Sequence, residues 1–357
     1  MVVMQPLSAS AGQTIAKPAA LRTTVEVVAD GLDTPRGVIY DPYLQRVLVA
    51  EAGDAAGNNG TCGTGADGVV YCLGSTGSIY QYTEYAPGTR IKTGLPSIRN
   101  SRGTAVLGLH DLSLSAGGLN MVFGLSGDQP FRDSLGPDAA LLGTTARLNW
   151  NGSITSLGDL AAFEEANNPE TYVIDSDPYG IATDGSGTVV ADAAGNDVLT
   201  VAADGTVSLV SIIANRGYIE SVPTAVVKAP GGGYYVGELT GYPFPVGEAR
   251  IMHVQAGQEP TVVAAGFTNI IDVTVDGEGR LIVLELAKNG LMSGDKTGRL
   301  VRIEADGTQT VLVGEGLMSP GGVAYAGSVG TKDTFYVTTG TQGTGNTGQL
   351  VKVTTKL

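Results

Sequence analysis

Short apolar, β-branched runs recur along the chain and end on an acidic residue: RVLVAE closes on Glu51, GTVVAD on Asp192, YYVGE on Glu238 and LIVLE on Glu285. Ahead of each stands another short apolar segment, often opened by proline, and a D-x-x-G type turn joins the two. A variable loop, a third segment, a DGT-like turn and a fourth segment follow. Segments of this length, punctuated by Gly, Asp and Asn, predict a meander of four antiparallel strands.

The unit repeats at a period of tens of residues, which decides the fold before any single residue does. It is cleanest in DPYGIATDGSGTVVADAAGNDVLTVAADGTVSLVSII, from Asp177 to Ile213. Copies are placed at about 33–95, 104–160, 172–214, 219–265, 266–315 and 316–357. The second copy is degenerate, and the sixth ends after its third strand. TVEVVADGL (Thr24 to Leu32) precedes the first copy and resembles TVLVGEGL (Thr310 to Leu317), the fourth strand of the fifth. The N-terminal strand, about 25–32, is therefore expected to close the ring as the outer strand of the last blade. The fold class is all-β: one six-bladed β-propeller of four-stranded antiparallel blades over 24–357, whose closure protects strand edges. Residues 1–23 read as a leader or disordered segment. One helix is expected, LAAFEEANNP, capped by Asp159 and stopped at Asn168-Pro169.

In this architecture the loops after each second strand share a face with the starts of the innermost strands. They are also the long loops, Ala52 to Ser78, Ser126 to Thr145, Thr240 to Glu248 and Ala287 to Gly298, so function is expected there. Glu51, Asp192, Glu238 and Glu285 occupy one equivalent position. Each either accepts backbone N–H bonds at its turn or joins a ring of carboxylates around the channel mouth that holds a hard cation such as calcium. The innermost strands bring Arg36, His110 with Asp111, Tyr179, Thr224, Asp272 and Gly321 to matching places. His110 is either structural or a general base or metal ligand. Arg36 either pairs with a carboxylate or orients an anionic substrate. In TGYPFPVGEAR, Tyr242 and Phe244 either wall a ligand pocket or pack on the neighbouring blade. Trp150 reads as a packing residue, and His253 as packed or exposed.

Charge narrows the partners. With a net charge of -14 and no Lys/Arg cluster, nucleic acid is excluded, and cationic partners or metal ions are favoured. No run of 18 or more apolar residues occurs, so no membrane span is expected. The two cysteines, Cys62 and Cys72, sit in the Gly-rich TCGTGADGVVYC, which suggests a local disulfide and an oxidising compartment; two free thiols are the other reading. Met1 to Gly12 ends in small residues like a cleavage region but lacks a basic start, as a truncated leader does. Secretion or a periplasmic location follows from these signs. A nucleophile elbow, a P-loop and a HExxH motif are not found.

The repeats, LAAFEEANNPE, DSDPYG and above all VGELTGYPFPVGEARI resemble the ScyD/ScyE-type propeller family over nearly the whole chain. That resemblance implies an exported, NHL-like six-bladed propeller within a wider superfamily of calcium-dependent lactonases, phosphotriesterases and strictosidine synthase relatives. In the calcium hydrolases Glu, Asn and Asp at the starts of innermost strands hold the ion. The matching places here carry Arg36, His110, Tyr179, Thr224, Ile271 and Gly321, so a metal is expected to use Asp111, Asp272 and some of the second-strand acids Glu51, Asp192, Glu238 and Glu285.

Three functions follow as expectations. The first is a metal-dependent hydrolase of small esters, lactones or phosphotriesters, with a divalent metal, calcium foremost, and with His110, Glu238 and Arg36 as the catalytic set and Tyr179, Tyr242 and Phe244 against the substrate. The second is a non-catalytic exported module that captures a small aromatic or cationic molecule. The third is a scaffold for protein partners. A monomer acting on a small molecule is expected in the first two.

Overall fold

The structure is a computed structural model that describes residues 21–55, 61–185, 187–342 and 345–356. The expected leader lies almost wholly outside them. Six sheets surround a central channel. Their innermost strands, Pro35–Asp41, Leu109–Ser115, Pro178–Asp184, Pro223–Lys228, Ile270–Val275 and Gly322–Val329, touch in that order, and the last touches the first. The ring closes as expected: Arg22–Leu32 pairs antiparallel with Gly348–Lys356, outermost in the sixth sheet.

The apolar runs are nearly continuous because both faces of a blade are buried. On the strand Gly187–Asp192, Val189 and Ala191 pack with Val226, Val236 and Met252 of the fourth blade, while Val190 packs with Val122 of the second and Leu199 of its own. The junction between the sixth and first blades is built the same way, from Leu32, Val38, Val49, Tyr336 and Leu350. Outer hairpins use one turn chemistry: Asp204 and Asp306 each accept the N–H two residues on, at 3.0 and 2.9 Å, with Gly205 and Gly307 at φ +90° and +83° between.

The first blade departs from the pattern. Its third and fourth strands run on as a long hairpin, Val70–Thr83 and Ala86–Asn100, and Cys62–Thr64 pairs with the extension. Cys62 and Cys72 face each other in that ladder and are disulfide-bonded, so the expected bridge is present. The helix Leu160–Asn167 forms with Asp159 as its cap and Asn168 left-handed at φ 34°. A second helix, Gln129–Ser134, capped by Asp128, lies in the loop of the second blade and was not expected. Trp150 corrects the packing assignment: it is 59% exposed at a turn, its indole N–H donating to Ala116 O.

Candidate functional site

In five blades the ladder between first and second strands slips just after its first pair: between Pro35 and Val38, Leu109 and Asp111, Pro178 and Gly180, Pro223 and Ala225, and Ile270 and Asp272. The skipped residues include Arg36, His110, Tyr179, Thr224 and Ile271. A β-bulge re-aims the side chain it leaves unpaired, and here three of them meet. Arg36 Nη1 donates to the Tyr179 hydroxyl at 3.0 Å and Nη2 to Val106 O at 2.7 Å. The His110 ring lies 4.6 Å from that of Tyr179, centroid to centroid.

His110 Nδ1 is 3.1 Å from Pro178 O. A carbonyl only accepts, so Nδ1 carries the proton and Nε2 is a lone pair, buried without a partner. Burial, then the Arg36 charge, holds the imidazole neutral, its pKa well below the usual value. Asp177 lies 3.8 Å from Nδ1 and takes the Leu125 N–H; burial and the Asp192 charge push it up to about 7.

These side chains fill the mouth on the loop-rich side. Tyr179 and Ile271 share an apolar cluster with Ala193 and Leu286, His110 is fully buried, and Thr224 is spent on a bond to Ile270 O. The ring of carboxylates around the channel mouth, one of the two readings of the second-strand acids, is corrected accordingly. Glu51 accepts Asp33 N–H at 2.7 Å and a bidentate Arg90, with Ser78 bonded to it as well. Glu238 is held by Arg250 and Arg216, and Glu285 by Arg299 and the Thr268 N–H. Asp192 takes three backbone N–H groups and the Ser176 hydroxyl. All four are buried. Their position at the end of the second strand puts them under the donors of the incoming innermost strand and opposite the third strand, so those groups claim the oxygens first.

Asp111 and Asp272 sit just past the bulges, on the opposite second and fifth blades, and line a channel cavity of about 370 Å³ with Val38, Tyr40, Val227 and Tyr325. Their counterparts Gly37, Gly180 and Gly322 lie where neighbouring inner strands nearly touch: a Cβ at Gly180 would come within 2.7 Å of Thr224 O, and at Gly322 within 2.8 Å of Arg36 O. Each aspartate spends its oxygens on two N–H groups. Among the described residues no three acidic, His or Cys side chains gather as a metal site. The calcium set implied by the wider superfamily therefore finds no matching ligands in this channel.

The loop-rich face carries a different cavity, about 460 Å³, beside the third and fourth blades. Four carboxylates line it, Asp67, Glu170, Asp175 and Glu220, with Tyr172 and Tyr218, and among the described residues no Lys or Arg does. The two tyrosines are 76% and 77% exposed. Asp67 comes from the disulfide-stapled hairpin of the first blade, where Tyr71 OH holds it at 3.0 Å. Glu170 is fixed by Asn196 and Asn215, and Asn196 also donates to Glu220. One oxygen of Asp175 is buried without a partner, and burial, then the charges of Asp177 and Asp192, push its pKa up to about 8. None of these six residues was named as a site residue in the sequence; they lie between the strands, in loops whose length varies from blade to blade. Tyr242 and Phe244 stand apart from this cavity, edge to face at 6.2 Å, with Tyr242 largely exposed.

No family model matches the sequence, and no curated protein does. Among solved structures the chain resembles a luciferin-regenerating enzyme (TM-score 0.54, 12% identity, 93% of this chain and 95% of that one). It also resembles a calcium-binding regucalcin from Agrobacterium tumefaciens (TM-score 0.53, 10% identity, 92% of each) and a Bacteroides thetaiotaomicron protein of unknown function (TM-score 0.57, 9% identity, 94% of this chain and 77% of that one). At such identities the likeness is one of architecture: the chain is a six-bladed β-propeller built like those proteins.

Proposed function

We propose that this protein is a binding propeller that takes a small organic cation into the acidic cavity on its loop-rich face. The observation that carries this reading is four carboxylates and two exposed tyrosines around one cavity that, among the described residues, no Lys or Arg lines. Carboxylates supply the field for a cation, and aromatic faces attract ammonium groups by about 0.5–2 kcal/mol each. The net charge of -14 steers such ligands toward the surface. The disulfide supports secretion or a periplasmic location, and the role needs only a monomer. The ScyD/ScyE resemblance, which rests on motifs alone, agrees with export. A thermal-shift panel of matched amines, quaternary ammonium ions, neutral analogues and sulfonates tests it. Cations are expected to raise the unfolding midpoint and sulfonates not; stabilisation by anions or neutral compounds alone overturns the reading.

A second reading, hydrolysis of a small ester, lactone or phosphotriester, is favoured by the unpartnered Nε2 lone pair of His110 beside Arg36 and Tyr179. His110 is the base in this reading and Arg36 orients the substrate, once the mouth opens. Turnover of activated esters, lactones or phosphotriesters that is lost in His110→Ala and unchanged by a chelator supports it. No turnover across the three classes rejects it.

A further inference from the structure

The face opposite the loop-rich one is formed by the hairpin turns of the blades, and its chemistry is split. Turns of the third and fifth blades carry Asp204, Asp276, Glu278 and Asp306. Turns of the sixth, first and second carry Val329, Tyr85 and Trp150 instead, all exposed. Two cavities open among them. One, about 250 Å³, lies between the first and second blades and is lined by Trp150, Lys92 and Arg46. The other, about 450 Å³, lies between the sixth and first and is lined by Tyr85, Lys332 and Lys352. Arg46 lines the first cavity and its chain neighbour Gln45 the second, so the two adjoin across the inner hairpin of the first blade.

In a chain of net charge -14 both cavities are basic. Among the described residues no acid lines the smaller one. Glu84, the acid that lines the larger, is spent on Lys352 and on the Tyr336 hydroxyl. Lys92 and Lys332 make no hydrogen bond or ion pair among the described residues. The ring of Trp150 is held in place: its indole N–H donates to Ala116 O at 3.2 Å, and Asn149 beside it donates to the Ser153 and Thr155 hydroxyls across the turn. The structure thus sets fixed, exposed aromatic rings beside ammonium groups that no carboxylate claims.

We propose that this half of the face binds an acidic oligosaccharide built of uronate residues, which lies across the first blade from one cavity to the other. The C–H groups of a pyranose face carry partial positive charge and pack on the electron-rich face of an indole or phenol ring. Carboxylates meet Lys92 and Lys332, and Gln45, Ser328 and Thr334 supply partners for the sugar hydroxyls. The smaller cavity falls below the roughly 300–1,000 Å³ of sites for drug-sized molecules, which suits one sugar ring. Aromatic turns separated by polar side chains offer no continuous apolar patch to a membrane. A small anion meets one exposed ammonium, a contact of little worth, whereas an oligomer spanning both cavities gathers several at once. The site lies on the other face from the cation cavity and stands independently of it.

Trp150 is the only tryptophan of the chain, so its emission reports on the smaller cavity without a label. The full chain is titrated with hexagalacturonate, with neutral maltohexaose as control, and read by that emission and by calorimetry. A saturable emission change with matching heat is expected for the uronate, and added salt is expected to weaken it. Lys92→Ala and Lys332→Ala are each expected to weaken binding about threefold. Tyr85→Ala, and Trp150→Ala followed by calorimetry alone, are each expected to weaken it about fivefold. No response to hexagalacturonate, equal binding of maltohexaose, or binding unchanged in the Lys92→Ala, Lys332→Ala double variant overturns the proposal. An emission shift with phosphatidylcholine–phosphatidylglycerol vesicles, while hexagalacturonate stays silent, overturns it too and assigns the face to a membrane.

Discussion

Asp111 and Asp272, on opposite blades, make the same two hydrogen bonds: each accepts the N–H of its own next residue, and one from the following blade, Ile181 N–H at 3.1 Å and Val323 N–H at 2.7 Å. They stitch neighbouring inner strands together where the channel is narrow. Burial pushes Asp111 up to about 7, and burial together with the Asp111 charge pushes Asp272 well above the ordinary carboxylate value. A carboxyl whose pKa rises on folding binds more protons in the folded state. Its stabilising contribution is full below about pH 4, the unfolded value, and is lost as pH rises through about 7. Asp175 and Asp177 act with the same sign. The unfolding midpoint is expected to fall between pH 5 and pH 8, and Asp272→Asn to flatten that slope. A midpoint that climbs over this range contradicts the shared burial of the pair.

Glu238 holds Arg250 and Arg216, with no exposed surface of its own. Removing one partner of a buried pair leaves the other uncompensated, so Glu238→Gln is expected to cost about 3 kcal/mol in denaturant unfolding. Glu51→Gln, which strands Arg90, is expected to cost a similar amount. A change below about 0.5 kcal/mol in both, the range of ordinary surface substitutions, counts against the structural role of these acids.

The Cys62–Cys72 bridge staples the hairpin that carries Asp67 to the cavity wall. Cys62→Ser is expected to lower stability by about 2–3 kcal/mol and to weaken cation binding, since Asp67 loses its fixed position. Unchanged affinity in the variant removes the hairpin from the site.

Asp175 sets a pH dependence for the ligand. With its carboxyl at about 8, it is mostly neutral at pH 7 and gains charge as pH rises. Cation affinity is expected to increase from pH 6.5 to pH 9, with proton release on binding, and Asp175→Asn to remove the increase. Calorimetry in two buffers of different ionisation enthalpy reads the proton directly.

Much of the architecture was legible in the sequence because a repeat states its own geometry. VLVAE, TVVAD, YYVGE and LIVLE mark the second strands, and the likeness of Thr24–Leu32 to Thr310–Leu317 announces the closing strand. The site was less legible. Glu51, Glu238 and Glu285 share a position, but whether they face a channel or an arginine depends on the third and fourth strands, where Arg250, Arg299 and the sequence-distant Arg90 stand. The bulges that aim Arg36, His110 and Tyr179 at one another leave no local signal beyond a register of one residue. The helix at Gln129–Ser134 was missed because six residues with a proline give no helical period.

The most direct test of cation capture on the loop-rich face is calorimetric titration of the full chain with benzyltrimethylammonium. The parallel titrations are Glu220→Gln, Asp175→Asn and Tyr218→Ala, with benzenesulfonate as the anionic control. At pH 9, where Asp175 is charged, saturable binding of the cation is expected, weakened about tenfold by each carboxylate change and about fivefold by the tyrosine change, with no heat from the sulfonate. Binding that all three substitutions leave unchanged, or sulfonate binding as tight as the cation's, contradicts it.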